Sequence, residues 1–327
     1  MAGMVRRLAT RRAGLGALAV AFLAYPLVFT TPLEQRLGAL VLLYATCASA
    51  WNLVGGYAGL ISVGHAVFFG AGAYGALAAY QYAGLPPIAG LPIGVAVSVV
   101  IAAVIGVPTL RLSGHYFSMA TIAVAELVRL VVSNSESLGG AQGLSGPPVP
   151  RTLLDLAFIS ELPYYYLFLA VLAAVLALTF SMERSRMGFY LRAIRDSERA
   201  ARSLGVAAAR YKLLAFMLSA AITAVAGGLY ALKFQFVDPD SGLGILVSVK
   251  MLIMAALGGA GLLFGPLVGA VILVPLEEVS NNLLGGAGSG LTFVVYGAII
   301  VIIARLQPGG LLRTVPGARP RRAGRTA

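Results

Sequence analysis

The chain has 327 residues, 59% of them hydrophobic and only 11% charged, with a formal net charge of +12 and a mean hydropathy of +0.89. Soluble chains carry about 25% charged residues, so an ordinary soluble domain is excluded, and with it a soluble nucleic-acid-binding domain that would use the positive charge. Apolar runs of about 18–20 residues recur, each long enough to cross a hydrocarbon core, whereas a membrane barrel would show short alternating segments.

The fold class expected is therefore all-α, a polytopic helical membrane protein. Residues 1–13 form a basic N-terminus with Arg6, Arg7, Arg11 and Arg12. The run after Arg12 is read as a retained span because many more follow, a cleaved signal being the alternative. Candidate spans are 14–32, 37–55, 58–81, 91–110, 115–134 and 163–182, then 211–233, two apolar pieces within 244–282, and 291–306. With 14–307 as the membrane domain, a loop at 183–210 and a basic tail at 308–327, this gives about ten crossings. A non-crossing hairpin in 244–282 would give eight.

Eighteen of the 24 Lys and Arg residues fall before the first run, in and beside the loop 183–212, and at or after the last run. Positive residues near span ends mark the cytoplasmic side, which places both termini and this loop in the cytoplasm and allows the tail to touch anionic lipid. The segments 33–36, 83–90 and 135–162 are then external. The single cysteine, Cys47, excludes an internal disulfide and a cysteine-based metal site.

Gly55, Gly56, Gly59, Gly64, Gly70, Gly72 and Gly75 crowd the stretch from Trp51 to Ala76, and a second glycine block runs from Leu257 to Ala270. Glycines in spans serve either close helix packing or a broken helix beside a transport path. Polar residues within spans are few. Asn52, Ser62 and His65 lie in the first block. Glu126 and Arg129 share one helical face and either pair or line a path. Lys250 either snorkels or binds. His65 is either a packing histidine or a metal or proton site, and no second ligand is spaced to join it. Ser62, His65, Thr121, Glu126 and Asn134 are the candidate path residues, on polarity alone. Phosphate-loop and nucleophile-elbow motifs are absent, so the chain is not read as an enzyme and any nucleotide belongs to a partner.

In the basic loop, Asp196 is read as a helix N-cap and Gly205 as a left-handed stop, leaving about two turns from Ser197 to Leu204. Met187, Leu191, Ile194, Ala201 and Leu204 form an apolar stripe. The small patch Ala200–Ala201 within a charged rim suits insertion into a partner's groove.

The stretches WNLVGGYAGLISVGHAVFFGAGAY, GHYFSMATIAVAELVRLV, SESLGGAQGL, MGFYLRAIRDSERAARSLGVAAARYKLLAF, LGGAGLLFGP and RLQPGGLL occur in this order. Together the chain from about 37 to 312 resembles the permease subunits of branched-chain amino acid ABC importers, of the Liv-type M family. The resemblance implies a coupling helix of the EAAxxxG type. Here RAARSLG puts Arg199 at the glutamate position, keeps Ala200, Ala201 and Gly205, and has Glu198 one residue earlier. It also implies a second related permease, two ATP-binding cassette subunits that bind ATP, an extracytoplasmic binding protein meeting 83–90 and 135–162, and a bacterial inner membrane. No cofactor is expected in this chain. Leucine, isoleucine and valine are the expected solutes, with urea or short amides within the same family. A stand-alone secondary transporter is the alternative from a different class, and a membrane enzyme or scaffold the third.

Overall fold

A computed structural model describes residues 20–112, 114–146, 156, 158, 160–283, 297–298, 305 and 310–314. Helix α1 covers 20–28. Thr31 starts α2 (Pro32–Asn52) with a capping box: its hydroxyl accepts from the Glu34 amide, the Glu34 carboxylate accepts from the Thr31 amide, and Pro32 presets the first turn. α2 continues into a π-helical turn, Leu53–Tyr57. Residues 58–65 are not helical, and α3 (Ala66–Ala83) follows. Then come α4 (Pro87–Thr109), α5 (His115–Ser133) and, beyond a long connection, α6 (Leu162–Arg184). α7 (Arg186–Asp196) and α8 (Glu198–Ser203) form the basic loop. After them come α9 (Ala208–Phe234), α10 (Pro239–Leu243), α11 (Ile245–Gly258) and α12 (Gly265–Leu283). Among the described residues the β structure is one antiparallel pair, β1 (Leu144–Ser145) and β2 (Phe236–Val237), with Leu144 opposite Val237.

Among the described residues six helical stretches are long and apolar enough to cross a membrane: Pro32–Tyr57, Pro87–Thr109, His115–Ser133, Leu162–Arg184, Ala208–Phe234 and Pro239–Gly258. Five expected spans coincide with these, at 37–55, 91–110, 115–134, 163–182 and 211–233. The expected span 58–81 is corrected: its first eight residues are the break, and Gly59 there takes a φ of +73°, outside any helix. The two apolar pieces of 244–282 are α11 and α12, folded back on each other. The expected span 291–306 lies outside the described residues apart from 297, 298 and 305.

Contacts sort the chain into two ends. Tyr82 Oη bonds the Ser137 carbonyl, β1 joins β2, and Arg36 lies over the Phe234 ring, so 32–36, 82–86, 134–146 and 234–239 share one end. Residues 53–65, the α7–α8 loop and 259–264 share the other, as the site below shows.

α2 and α9 are enclosed, α2 packing on α6, α9, α11 and α12, while α3 packs on α4 and α9. Lipid is as apolar as the helices, so close van der Waals contact and hydrogen bonds must hold them together. Glycine makes that contact possible at the α3–α9 crossing. A Cβ on Gly72 would lie 1.9 Å from the Ala224 carbonyl oxygen, and one on Gly227 would lie 2.0 Å from that of Phe69. By contrast α4 and α5 turn long apolar faces outward, including Val100, Val104, Met119, Leu127 and Val131.

Candidate functional site

The break between α2 and α3 frees backbone groups that no helix satisfies. Buried groups of this kind must find partners in the protein. Here side chains from four helices supply them. Trp51 Nε1 donates to the Ser62 carbonyl at 2.7 Å. From α5, Ser118 Oγ donates to the Ile61 carbonyl at 2.6 Å, and Thr121 Oγ1 accepts from the Val63 amide at 3.1 Å. From α11, Ser248 Oγ accepts from the Ala66 amide at 2.7 Å, capping α3 from outside its own chain segment. From α7, Arg195 Nη1 donates to the Gly56 carbonyl at 2.7 Å.

His65 sits at the centre and is fully buried. Its Nε2 is 2.9 Å from Ser219 Oγ and its Nδ1 is 3.0 Å from Ser62 Oγ. The Ser219 hydroxyl proton is committed to the Ala50 carbonyl at 2.6 Å, so Ser219 accepts from His65. The proton of a neutral ring is thereby assigned to Nε2, and Nδ1 accepts from Ser62. Phe68 and Phe216 pack edge-on to the ring. Both ring nitrogens are thus hydrogen-bonded.

Asn52, 1% exposed, ties the break to the second glycine block. Its Oδ1 accepts from the Gly261 amide at 2.8 Å and its Nδ2 donates to the Leu262 carbonyl at 3.1 Å. The two backbones touch directly, since a Cβ on Gly56 would stand 2.4 Å from the Gly261 nitrogen. Close helix packing is seen at Gly72 and Gly227, and the helix is interrupted at 58–65.

Of the candidate path residues, Ser62, His65 and Thr121 come together in this hub, all buried. Glu126 does not join them. Arg129 binds it at 2.5 Å and also reaches Asp240 at 2.9 Å, tying α5 to α10. Asn134 is exposed and ends α5, its amide donating to the Leu130 carbonyl at 2.8 Å. Lys250 is paired with Glu277 of α12. A separate cavity of about 440 Å³ lies between α3, α4 and α5, with Tyr74, Val97, Val128 and Leu243 in its walls. Its lining is almost wholly apolar.

In the basic loop the N-cap expectation shifts by one residue. Asp196 closes α7 and lies 3.6 Å from Arg195 Nε. Ser197 has the extended backbone an N-cap requires (φ −161°, ψ 104°), and its hydroxyl accepts from the Ala200 amide. Gly205 follows in the left-handed conformation, as expected. Glu198 bonds Lys212, which holds α8 against the start of α9, and Arg202 within α8 itself. Burial alone would raise the Glu198 carboxyl, but these two cations outweigh it and keep it below its ordinary value. Ala201 is buried against Ile194 and Ala208. Ala200 and Arg199 are exposed, and Leu204 is 85% exposed. The expected patch of two alanines and the expected stripe therefore divide. Ala201, Leu191 and Ile194 face the protein, while Ala200 and Leu204 face away.

Sequence reasoning named Asn52 without a role and counted Arg195 only as a topology charge. Ser219 and Ser248, inside apolar runs, gave no signal at all.

The family described as branched-chain amino acid transport system permease component matches residues 36–304, a span that holds every residue of the hub and the loop. The chain is 31% identical to the high-affinity branched-chain amino acid transport system permease protein LivM of Salmonella typhimurium, over 93% of this chain and 75% of that protein. It is 32% identical to LivH of the same organism over 42% of this chain and 44% of that protein. It is 30% identical to the autoinducer 2 import system permease protein LsrC of Klebsiella pneumoniae over 52% and 48%.

Proposed function

We infer the function from a settled premise: the chain belongs to the branched-chain amino acid transport permease family, and it is a multi-pass permease subunit of an ABC importer. The solutes we propose are leucine, isoleucine and valine, with LivM as the relative that supports them. A second reading, another small solute, is supported by the likeness to LsrC. Competition of unlabelled solutes against labelled leucine, with the partner binding protein present, separates the two.

The proposed topology has about ten crossings, with α3, α11 and α12 among them, and the inner membrane as its place. The N-terminus 1–13, the loop 183–210 and the tail 308–327 are cytoplasmic, so the end carrying β1 and β2 faces outward and meets the binding protein. A second, related permease completes the path along the outward faces of α4 and α5. Two ATPase subunits, which bind the ATP, dock on α8 and drive alternating access. Ser62, His65 and Thr121 frame that path as supports of its broken backbone.

The observation that carries the docking reading is Leu204. A large apolar side chain stands 85% exposed at the end of a short helix that is packed in place through Ala201. Glu198, Lys212 and Arg202 brace it, so a push on α8 is passed to α7 and α9 instead of being absorbed. Leu204→Glu combined with Ala200→Arg is expected to abolish copurification of the ATPase subunits and uptake, with membrane insertion unchanged. Full retention of both in the double variant would remove the docking assignment.

A further inference from the structure

We infer that Arg195 is the positioning residue that links the coupling loop to the break in the membrane domain. The inference rests on the docking reading above and goes beyond it by naming where the movement enters.

Gly56 lies in the last turn of the α2 helix, where carbonyls have no partner further along the helix. A cation there is favoured by the helix dipole as well as by the hydrogen bond. Arg195 supplies it from the last turn of α7, across 139 residues of sequence. The same side chain fills the space between both glycine blocks. A Cβ on Gly59 would lie 2.7 Å from Arg195 Cγ, and one on Gly261 would lie 2.8 Å from Arg195 Nη1 and 3.0 Å from the Gly56 oxygen. Both glycines have positive φ, +73° and +78°, so the backbone is shaped to admit this side chain. One arginine side chain thus reaches all three places: its guanidinium meets the end of α2 and the turn between α11 and α12, and its stem meets the start of the break.

The link to α8 is short. α7 and α8 meet at Ser197, two residues from Arg195, and Ile194 packs on Ala201. A displacement of α8 therefore moves the base of the Arg195 side chain. Withdrawing it leaves the Gly56 carbonyl without its cation and opens the space between the glycine blocks, which Asn52 and the direct Gly56–Gly261 contact then hold.

The test uses the full importer complex in liposomes, with labelled leucine as the transport probe and hydrogen exchange as a readout independent of solute. In Arg195→Gln, leucine carried per ATP hydrolysed is expected to fall about tenfold, the scale of losing one charge-assisted hydrogen bond, while ATP hydrolysis persists. Amides of 53–63 and 259–264 should exchange faster, and those of 198–206 should not change. Arg195→Lys, which can still place a cation on Gly56, should recover part of the ratio. If Arg195→Gln does not assemble, Arg195→Met retains the stem packed on Gly59 and gives the same comparison. An unchanged ratio together with unchanged exchange in 53–63 would overturn the inference. Leu204→Glu serves as the separate control: if it leaves ATPase retention intact, the docking reading fails; if it abolishes retention while Arg195→Gln behaves as parent, only the Arg195 link fails.

Discussion

Asn52→Ala tests whether the two glycine blocks are held by the bonds described. The substitution removes both hydrogen bonds and leaves the Gly261 amide and the Leu262 carbonyl without that partner. An unpartnered buried group costs about 1–3 kcal/mol in a protein interior. Polar pairs between membrane helices measure lower, about 0.6 kcal/mol on average and up to about 1.7. Asn52 is enclosed, so the upper part of that range applies to each bond, and the pair is worth about 2–3 kcal/mol. At about 2–4 °C per kcal/mol for a chain of this size, Tm should fall by about 4–12 °C. Trp51, the single tryptophan, adjoins Asn52 and bonds Ser62, so its fluorescence reports unfolding of this region in detergent. Asn52→Asp should be worse than Asn52→Ala, because its second oxygen would face the Leu262 carbonyl and add a buried charge. A Tm within about 1 °C of the parent for the alanine variant, or an aspartate variant as stable as the parent, would refute the clamp.

Three further outcomes follow from other parts of the fold. Gly72→Val forces α3 and α9 apart against a backbone oxygen 1.9 Å away, and should destabilise by about 1–3 kcal/mol or more in the same unfolding assay. Lys250→Met alone strands the Glu277 carboxylate, whereas Lys250→Met with Glu277→Leu removes the pair; the single variant should unfold at lower temperature than the double. Glu198 has a lowered carboxyl pKa in the folded chain, so its contribution is complete above the unfolded value of about 4.3 and is lost as pH falls through the folded one. Proteolysis of the loop should therefore rise below about pH 4, and Glu198→Gln should show raised cleavage already at neutral pH.

Much of the architecture was legible because membrane spans advertise themselves by length and composition alone. The expected helix at 115–134 differs from α5 by a single residue. Boundaries failed where glycine and backbone, not apolar pattern, set the structure. Nothing in the apolar period distinguishes the break at 58–65 from a continued helix, since Leu60, Ile61, Val63 and Ala66 suit either. The pair Glu126–Arg129 was readable from its spacing, but Asp240, the third member, was not, because contact across 111 residues leaves no local mark. Ala200 and Ala201 looked alike in sequence. Which of two adjacent residues faces inward depends on where α7 and α9 lie.

The hub at 58–65 also bears on how such a domain can be stable and still move. Its free backbone groups are satisfied by partners on different elements: Thr121 and Ser118 on α5, Ser248 on α11, Arg195 on α7, and Trp51 at the end of α2 itself. Each bond is modest, and in the membrane the apolar surfaces give no strong preference for one helix spacing over another. A rigid-body shift of α5, α11 or α7 therefore cannot occur without breaking a bond at this one place, while shifts of α4 leave it untouched. That asymmetry makes the break, and not the apolar cavity beside α4, the point where motions of several helices are registered together. It also explains why Ser62, His65, Thr121 and Ser248 there are buried and engaged: their energetic role is to make one arrangement of the break definite enough that leaving it requires the input of a partner.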